Sequence, residues 1–516
     1  MTMEDDFAPV LVVGGGPTGL TLAHELALAG VRPVLIDRLP TPNEHSKALG
    51  LQPRTVEILA MRGLLQAVLD RSLAQVSDAH FAGLPTVMHY RGWGSRHPYG
   101  VIIPQNRVEA VLEEALAERY GIRVHRAHEL VGLEQDADGV TAVVRTPDGE
   151  RRVRAGHLVG CDGGRSRVRQ LIGVAFPGSR TSFAGVVADV TLRRMPDAVG
   201  ALPKSIRELL GSDTAHQDGM TWPLVPLQNG LYRVVWGIYG QSHADPNAEV
   251  SADDVRAAVR MRYGDEVEID EVRWLSRFTD SARQAERYRV GRVLLAGDAA
   301  HVHLPAAGQG LNMGVQDAMN LGWKLAATAR GEAPAGLLDS YHDERHPVGQ
   351  RVVENTRAQA VLTNPAEEYD GLRAIFTRLL TMSEVNHYLA GMVSGLDIRY
   401  PMPGGDDHEL LGTRMPDLDV FVGDEPEPRQ VHQLLRTGRG VLLTSAPDPG
   451  YAALADARID VVAVRALPDC GTDAVLVRPD GHVCWVAPGT GEVLASLRDA
   501  VRTWFAPTSP QPLGVP

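Results

Sequence analysis

Three short segments carry residue types from which cofactor chemistry can be built. The first is Gly14-Gly15-Gly16-Pro17-Thr18-Gly19, which follows the apolar stretch Ala8–Val13 and opens an apolar-periodic run. In such a G-x-G-x-x-G turn, Gly14 permits the tight turn, Gly16 lets backbone approach a pyrophosphate, and Gly19 lets the helix sit close to the strand. Pro17 and Thr18 open that helix, whose N-terminal N–H groups and dipole favour phosphate. Asp37 stands 18 residues beyond Gly19, at the end of the next apolar stretch. A carboxylate there accepts from ribose hydroxyls, and Arg38 follows it. The motif predicts a dinucleotide without separating FAD from NAD. The other two segments are Cys161-Asp162-Gly163-Gly164 and Gly297-Asp298. Each places a carboxylate after a strand, in the ligand crevice of an open α/β sheet.

Other chemistries find less support. His301 and His303 would face one side of an extended segment, but no third metal ligand accompanies them, so no metal is expected. The cysteines are three, Cys161, Cys470 and Cys484, with no C-x-x-C pair. That excludes a disulfide framework and a Cys-rich zinc site. There are only three lysines, Lys47, Lys204 and Lys324, none in an obvious Schiff-base context. The net charge of −13 argues against nucleic-acid binding. His216 lies in a polar segment and reads as solvated.

The elements that must position these residues follow from periodicity. Ala8–Val13, a helix over 17–29 and Val34–Ile36 form a β-α-β unit. Helical patterns cover Arg54–Leu69 and Arg107–Arg119, and strands fill 122–160 with a hairpin turn at Thr146–Gly149. Ala184–Val190, Thr221–Leu227 and Leu231–Tyr239 read as a mostly antiparallel sheet. Arg292–Ala296 returns to a buried strand, followed by a helix near Gly310–Arg330 and further helices over 340–400. Residues 410–505 read as a small α/β unit with strands near 440–444, 459–463 and 474–478. The expected division is 1–180 as the first part of a cofactor domain and 181–280 as a substrate-binding sheet. Residues 281–400 are the return of the first domain with a helical segment, and 401–516 a C-terminal domain. The acidic start is unlike a secretory signal and no apolar run spans a bilayer, so a cytoplasmic protein without membrane partners is expected.

The three segments, in this order and at these separations, resemble the FAD-dependent single-component aromatic hydroxylases. This is the family of p-hydroxybenzoate hydroxylase and phenol hydroxylase. The likeness covers nearly the whole chain. It is strongest to the bacterial branch acting on aromatic polyketides of the tetracycline, anthracycline and angucycline types, and to rifampicin monooxygenases. The resemblance implies an α/β fold: a Rossmann-like FAD-binding domain, an inserted mostly antiparallel substrate-binding sheet and a thioredoxin-like C-terminal domain lacking its redox cysteines. It implies FAD as cofactor, NADPH or NADH as transient co-substrate, and O2 and a small aromatic molecule as partners, in a monomer or homodimer. The implied reaction is hydroxylation of a polycyclic aromatic through a flavin C4a-hydroperoxide, so no certain catalytic side chain is expected.

The resemblance also implies residue roles. Asp37 would hold the adenosine ribose and Asp298 the ribityl chain. Asp162 and Arg169 would shape the approach to the pyrophosphate and nicotinamide. Gln105 would touch the ribityl–phosphate region. Lys47 stands where many members have Arg, a position contacting the cofactor phosphates. Pro305, Gly308, Gly310, Leu311 and Asn312 would run under the flavin ring after Gly297-Asp298. Ala307 stands where the family often has Gly. Trp222, Tyr232, Trp236, Phe183 and Met220 are candidates for a substrate wall, joined by Trp93, His97, Tyr99 and Pro305. The alternatives are a Baeyer–Villiger or epoxidising oxygenase on the same fold, and a redox-silent FAD-binding scaffold.

Overall fold

The computed structural model describes residues 7–45, 47–179, 183–196, 220–221, 224–239, 249–403, 408–446, 448–456, 458–488 and 492–505. Strand β1 (Ala8–Val13) has Val10, Leu11 and Val12 fully buried. Such an apolar run suits a parallel strand covered on both faces. Helix α1 (Pro17–Leu28) follows, with Pro at its first turn, where the missing N–H costs nothing. Next come β2 (Val34–Ile36), α2 (Pro53–Met61) and α3 (Gln105–Tyr120). Then come β3 (Val124–His125), β4 (Glu129–Gln135), β5 (Val140–Thr146) and β6 (Gly149–Gly160). The predicted hairpin turn joins β5 to β6.

The second sheet contains β7 (Phe183–Arg194), β8 (Leu231–Tyr239) and β9 (Glu268–Thr279). Both outer strands pair antiparallel with β7. Helix α4 (Ala252–Tyr263) opens on a capping box of Ser251 and Asp254 and covers one face of this sheet. Neither α4 nor β9 was expected from sequence.

The chain then re-enters the first sheet through β10 (Arg289–Val290) and β11 (Val293–Leu295). The main order is β10-β11-β6-β1-β2-β3, with β11, β6, β1, β2 and β3 parallel. Thus a strand 280 residues downstream of β1 lies two places away from it, and the three predicted segments end on neighbouring strands. Four helices follow: α5 (Gln309–Ala329), α6 (Ser340–Thr363), α7 (Asp370–Leu379) and α8 (Ser383–Ser394). Helix α5 is buried almost throughout from Asn312 to Ala326, packed against α1 on one side and the C-terminal unit on another.

That unit has β12 (Gly440–Thr444), β13 (Ile459–Ala463), β14 (Ala474–Val477) and β15 (Val483–Val486), then α9 (Val493–Trp504). Its sheet order is β13-β12-β14-β15, with only β12 and β13 parallel. Cys470 and Cys484 are buried free thiols. No helix among the described residues is long and apolar enough to cross a membrane.

Candidate cofactor and active site

The glycine turn is closed by contact with its neighbours. Gly14 has φ +114°, and a Cβ there would lie 2.2 Å from the Cys161 carbonyl oxygen. A Cβ on Gly19 would lie 1.9 Å from the Gly14 oxygen. Only glycine permits these approaches. Above Gly16, by contrast, the nearest atom to such a Cβ is Oε1 of Glu109, at 3.9 Å. The opening that sequence reasoning assigned to a pyrophosphate is present. Asp37 accepts the Gly15 N–H at 2.7 Å and the Leu39 N–H at 2.8 Å, which fixes its carboxylate beside the turn. Thr18 faces elsewhere: Cβ atoms on Gly297 or Gly314 would fall 2.5 and 2.1 Å from its Oγ1, so it fills the α1–α5 contact.

Asp162 accepts the N–H groups of Arg167 and Val168 through Oδ2, at 2.6 and 3.1 Å. Its Oδ1 is buried without a hydrogen-bond partner among the described residues. Arg169 is turned inward. Its guanidinium donates to the Ala299 and Gly164 carbonyls at 2.7 and 2.8 Å and lies 3.7 Å over the Phe176 ring. It therefore staples the second segment to the third, and its fork is already occupied.

The third segment is held from below by residues that sequence reasoning missed. Asp317 on α5 accepts the Gly297 N–H at 3.0 Å and pairs with His301 Nε2 at 2.7 Å. Arg345 on α6 binds its other oxygen at 2.7 Å. Burial pushes the Asp317 carboxyl up, but Arg345 and His301 together hold it below the ordinary range. The only signal for Asp317 was a carboxylate on the buried side of an apolar helix. His301 is thus a structural partner, and the described residues contain no cluster of three or more metal-ligating side chains.

Asp298, His303 and Gly310 converge: a Cβ on Gly310 would lie 3.9 Å from Asp298 Oδ1 and 3.8 Å from His303 Nε2. His303 Nδ1 meets the Leu304 carbonyl oxygen at 2.8 Å, while Nε2 is buried with no partner among the described residues. Burial lowers the pKa of His303. Lys47 reaches this corner from the other side, donating to the Arg277 carbonyl at 3.3 Å. Burial lowers its pKa, Asp298 raises it, and Arg165 lowers it further.

Pro305 leads into a short 3-10 turn, Ala306–Gly308, ahead of α5. Ala307 adopts φ +52° and Gly308 φ +65°. The side chain of Asn312 is a latch: Oδ1 accepts the Gln52 N–H at 2.8 Å, and Nδ2 donates to the Gly308 and Gly50 carbonyls at 2.7 and 3.1 Å. Gln52 in turn donates to the Ala307 carbonyl at 2.5 Å and accepts from the Tyr90 hydroxyl at 2.7 Å. Leu311 packs between the two large cores. Gln105 donates to Glu109 at 2.8 Å beside the open glycine.

The aromatic candidates separate. Trp222 and His216 lie outside the described residues, as does the side chain of Met220. Trp236 is a correction: it is buried between the second sheet and α4, and Tyr232 packs into the same cluster. The alternation of a strand puts both on the face opposite Arg233 and Val235. Phe183 lies on that other face, where its ring and that of Phe278 cover Gly237 and Gly185. Trp93 is half-buried. It stacks on His387 of α8 at 4.1 Å and donates to the His387 carbonyl, so it fastens that helix. Tyr99 meets His97 at 3.1 Å and packs against the main core.

A glycine cradle after β1, carboxylates after β2, β6 and β11 along the same edge of one sheet, and orphaned buried atoms on Asp162 and His303 fit a flavin dinucleotide. This defines the class: a flavoprotein with an FAD-binding sheet. The family models for the FAD binding domain and for the aromatic-ring hydroxylase C-terminal domain match residues 8–356 and 408–508. The chain belongs to the FAD-dependent aromatic-ring hydroxylases, which are monooxygenases that draw on NAD(P)H. It is 46% identical over 509 residues to 12-dehydrotetracycline 5-monooxygenase/anhydrotetracycline 6-monooxygenase of Streptomyces rimosus, covering 96% of this chain and 99% of that one. It is 41% identical to the rifampicin monooxygenase of Streptomyces venezuelae, covering 96% and 98%. The solved structure of the OxyS anhydrotetracycline hydroxylase from Streptomyces rimosus superposes with a TM-score of 0.87 at 44% identity, covering 98% of this chain and all of that one.

Proposed function

We propose that this monooxygenase hydroxylates a polycyclic aromatic molecule of the polyketide type, using NAD(P)H and O2. The observation that carries the reading is end-to-end similarity to enzymes named for tetracycline intermediates and rifampicin, on a site with the cofactor cradle intact. When bound, FAD supplies electron transfer from NAD(P)H and activation of oxygen. The protein's part is to bind, orient and exclude water. In this reading Gly14, Gly16 and Gly19 with the start of α1 take the pyrophosphate, and Asp37 the ribose. Asp298 takes the ribityl chain, with Lys47, Gln105 and Asp162 around it. The loop from Pro305 through Gly308 and Gly310 to Asn312 takes the flavin ring, with backbone N–H groups at the start of α5 facing developing negative charge. The Asn312–Gln52 latch and Asp317 keep that loop in one conformation. Phe278 and Tyr99, both half-buried, are offered as substrate contacts, with the buried Phe183 ring backing Phe278.

The domain reading is a Rossmann-like first sheet over 1–180 and 281–400, a substrate sheet over 181–280 and a thioredoxin-like unit over 401–516. Supporting the last is the order β13-β12-β14-β15 with one parallel pair. Its buried, widely spaced cysteines suit a scaffold. A cytoplasmic location is part of the same proposal.

The test is NADPH oxidation stimulated by an anthraquinone or naphthacene, with one oxygen added to the product. A ring-expanded or ring-opened product would instead indicate Baeyer–Villiger chemistry. Flavin that NADPH cannot reduce would indicate a redox-silent scaffold. Asp298→Ala is expected to purify largely without flavin; stoichiometric FAD in that variant would mean that Asp298 does not hold the ribityl chain.

A further inference from the structure

We infer that Glu109 is a cofactor-positioning residue, standing over Gly16 as a neutral acid and donating a hydrogen bond to the diphosphate of FAD. The inference rests on the assignment of the Gly14–Gly19 turn to that diphosphate.

The placement comes from α3. Its first residue is Gln105, and Glu109 lies one turn further on, on the same face. Glu109 Oε1 is the atom nearest the open side of Gly16. Gln105 Nε2 donates to that same Oε1 at 2.8 Å. The gift of a hydrogen bond to Oε1 leaves Oε2 to carry a proton.

The charge count around it is unfavourable to ionisation. Asp37 comes from the end of β2, and Glu113 from the next turn of α3. Arg107 and Arg119 of α3 turn away, donating to the Arg71, Leu227, Arg62 and Gly63 carbonyls, and Arg38 after β2 is exposed, which leaves Arg126, just beyond β3, as the cation acting on Glu109. Arg126 is 2.7 Å from Glu113 and 3.9 Å from Asp37, and no salt bridge among the described residues reaches Glu109. Three carboxyl groups therefore share one guanidinium. Burial raises Glu109 to about 7, opposed by Gln105 and Arg126 and assisted by Asp37 and Glu113. A diphosphate adds more negative charge to the same corner. An ionised carboxylate would repel it, whereas a protonated one supplies a short O–H···O⁻ bond. FAD binding and Glu109 protonation are then linked, and each favours the other.

The test is the dissociation constant of FAD, measured on the holoenzyme by recovery of flavin fluorescence on dilution, between pH 6 and 8.5. For a group titrating near 7, affinity is expected to fall about thirtyfold by pH 8.5. Glu109→Gln keeps a neutral donor at every pH, so its affinity should match wild type at pH 6 and stay nearly flat. Lys47 and other titrating groups remain in both proteins, so their share cancels. A flat wild-type profile, or the same slope in Glu109→Gln, would overturn the inference. A wild type that binds no FAD at any pH would instead overturn the cofactor assignment. As a second readout, the infrared difference between FAD-loaded and FAD-free protein at pH 8, compared with that of Glu109→Gln to remove the flavin carbonyl bands, should contain the C=O stretch of a protonated acid. Persistence of that band in Glu109→Gln would place the proton elsewhere and overturn the inference too.

Discussion

Arg478 closes on both carboxylate oxygens of Glu344, at 2.6 and 2.9 Å, with neither side chain more than 2% exposed. Arg478 belongs to the turn between β14 and β15, and Glu344 to α6. Lys324 of α5 reaches the same carboxylate at 2.8 Å, and Asp480 pairs with Arg478 from the other side. The C-terminal unit is thus joined to the helix that begins at the proposed flavin loop through charges removed from water.

Breaking that pair should be costly, because the remaining charges stay buried. Arg478→Met is expected to lose roughly 3–5 kcal/mol of stability, measured by urea unfolding. A loss under about 1 kcal/mol would mean that these charges do not hold the two units together.

Acid should weaken the fold through the buried carboxylates. Burial raises Glu25, Glu57 and Glu344, but neighbouring cations outweigh it: Arg62 at Glu25, Arg414 and Arg54 at Glu57, and Arg478 with Lys324 at Glu344. All three settle at about 2. A depressed folded pKa gives stability that is present above the unfolded value and lost as pH falls toward the folded one. The window here runs from about 4.5 down to about 2, with on the order of 3 kcal/mol per carboxylate. Stability measured from pH 6 to 3 at fixed ionic strength should fall below 4.5; a level profile would contradict the ion-pair account.

Ala307→Gly should stabilise the flavin loop. An alanine at φ +52° bears left-handed strain of about 1–2 kcal/mol, partly offset by the greater freedom of glycine in the unfolded chain. A net gain of up to roughly 1 kcal/mol in a thermal melt is expected. No gain would show that the alanine methyl group's packing matters as much as its strain.

Asn312→Ala should free Gln52 and the loop together, since three hydrogen bonds are lost at once. About 2 kcal/mol of stability should go. Faster flavin release is expected with it, read by fluorescence after dilution. Unchanged release would separate the latch from cofactor retention.

Much of the cradle was legible in the sequence because its requirements are local. A turn that admits no side chain writes itself as Gly14 and Gly19, and a strand end beside it as Asp37. The β-α-β unit, the hairpin near 146–149 and three of the four C-terminal strands followed from the same short-range patterns. The rest is long-range. Trp236 and Trp93 were aromatic and well placed along the chain. Which partner each ring found, α4 for one and His387 for the other, depended on elements far away in sequence. Asp317, Glu109 and Gln52 showed no motif, because each acts on a loop that reaches it only after folding.

The sequence by itself determined a dinucleotide cradle, since phosphate cradles depend on backbone clearance that only particular residues allow, and the order of its three segments carried the resemblance to the FAD-dependent family. Only the tertiary structure decided which polar groups are already satisfied and which are left facing the cradle. Arg169 and His301 carry charge or lone pairs as Glu109 and Asp162 do. The guanidinium of Arg169 and Nε2 of His301 have their partners in the fold. One oxygen of Asp162 has no partner among the described residues and Glu109 has an uncharged one, Gln105, because partners are assigned by packing between elements that adjoin in space and not in sequence.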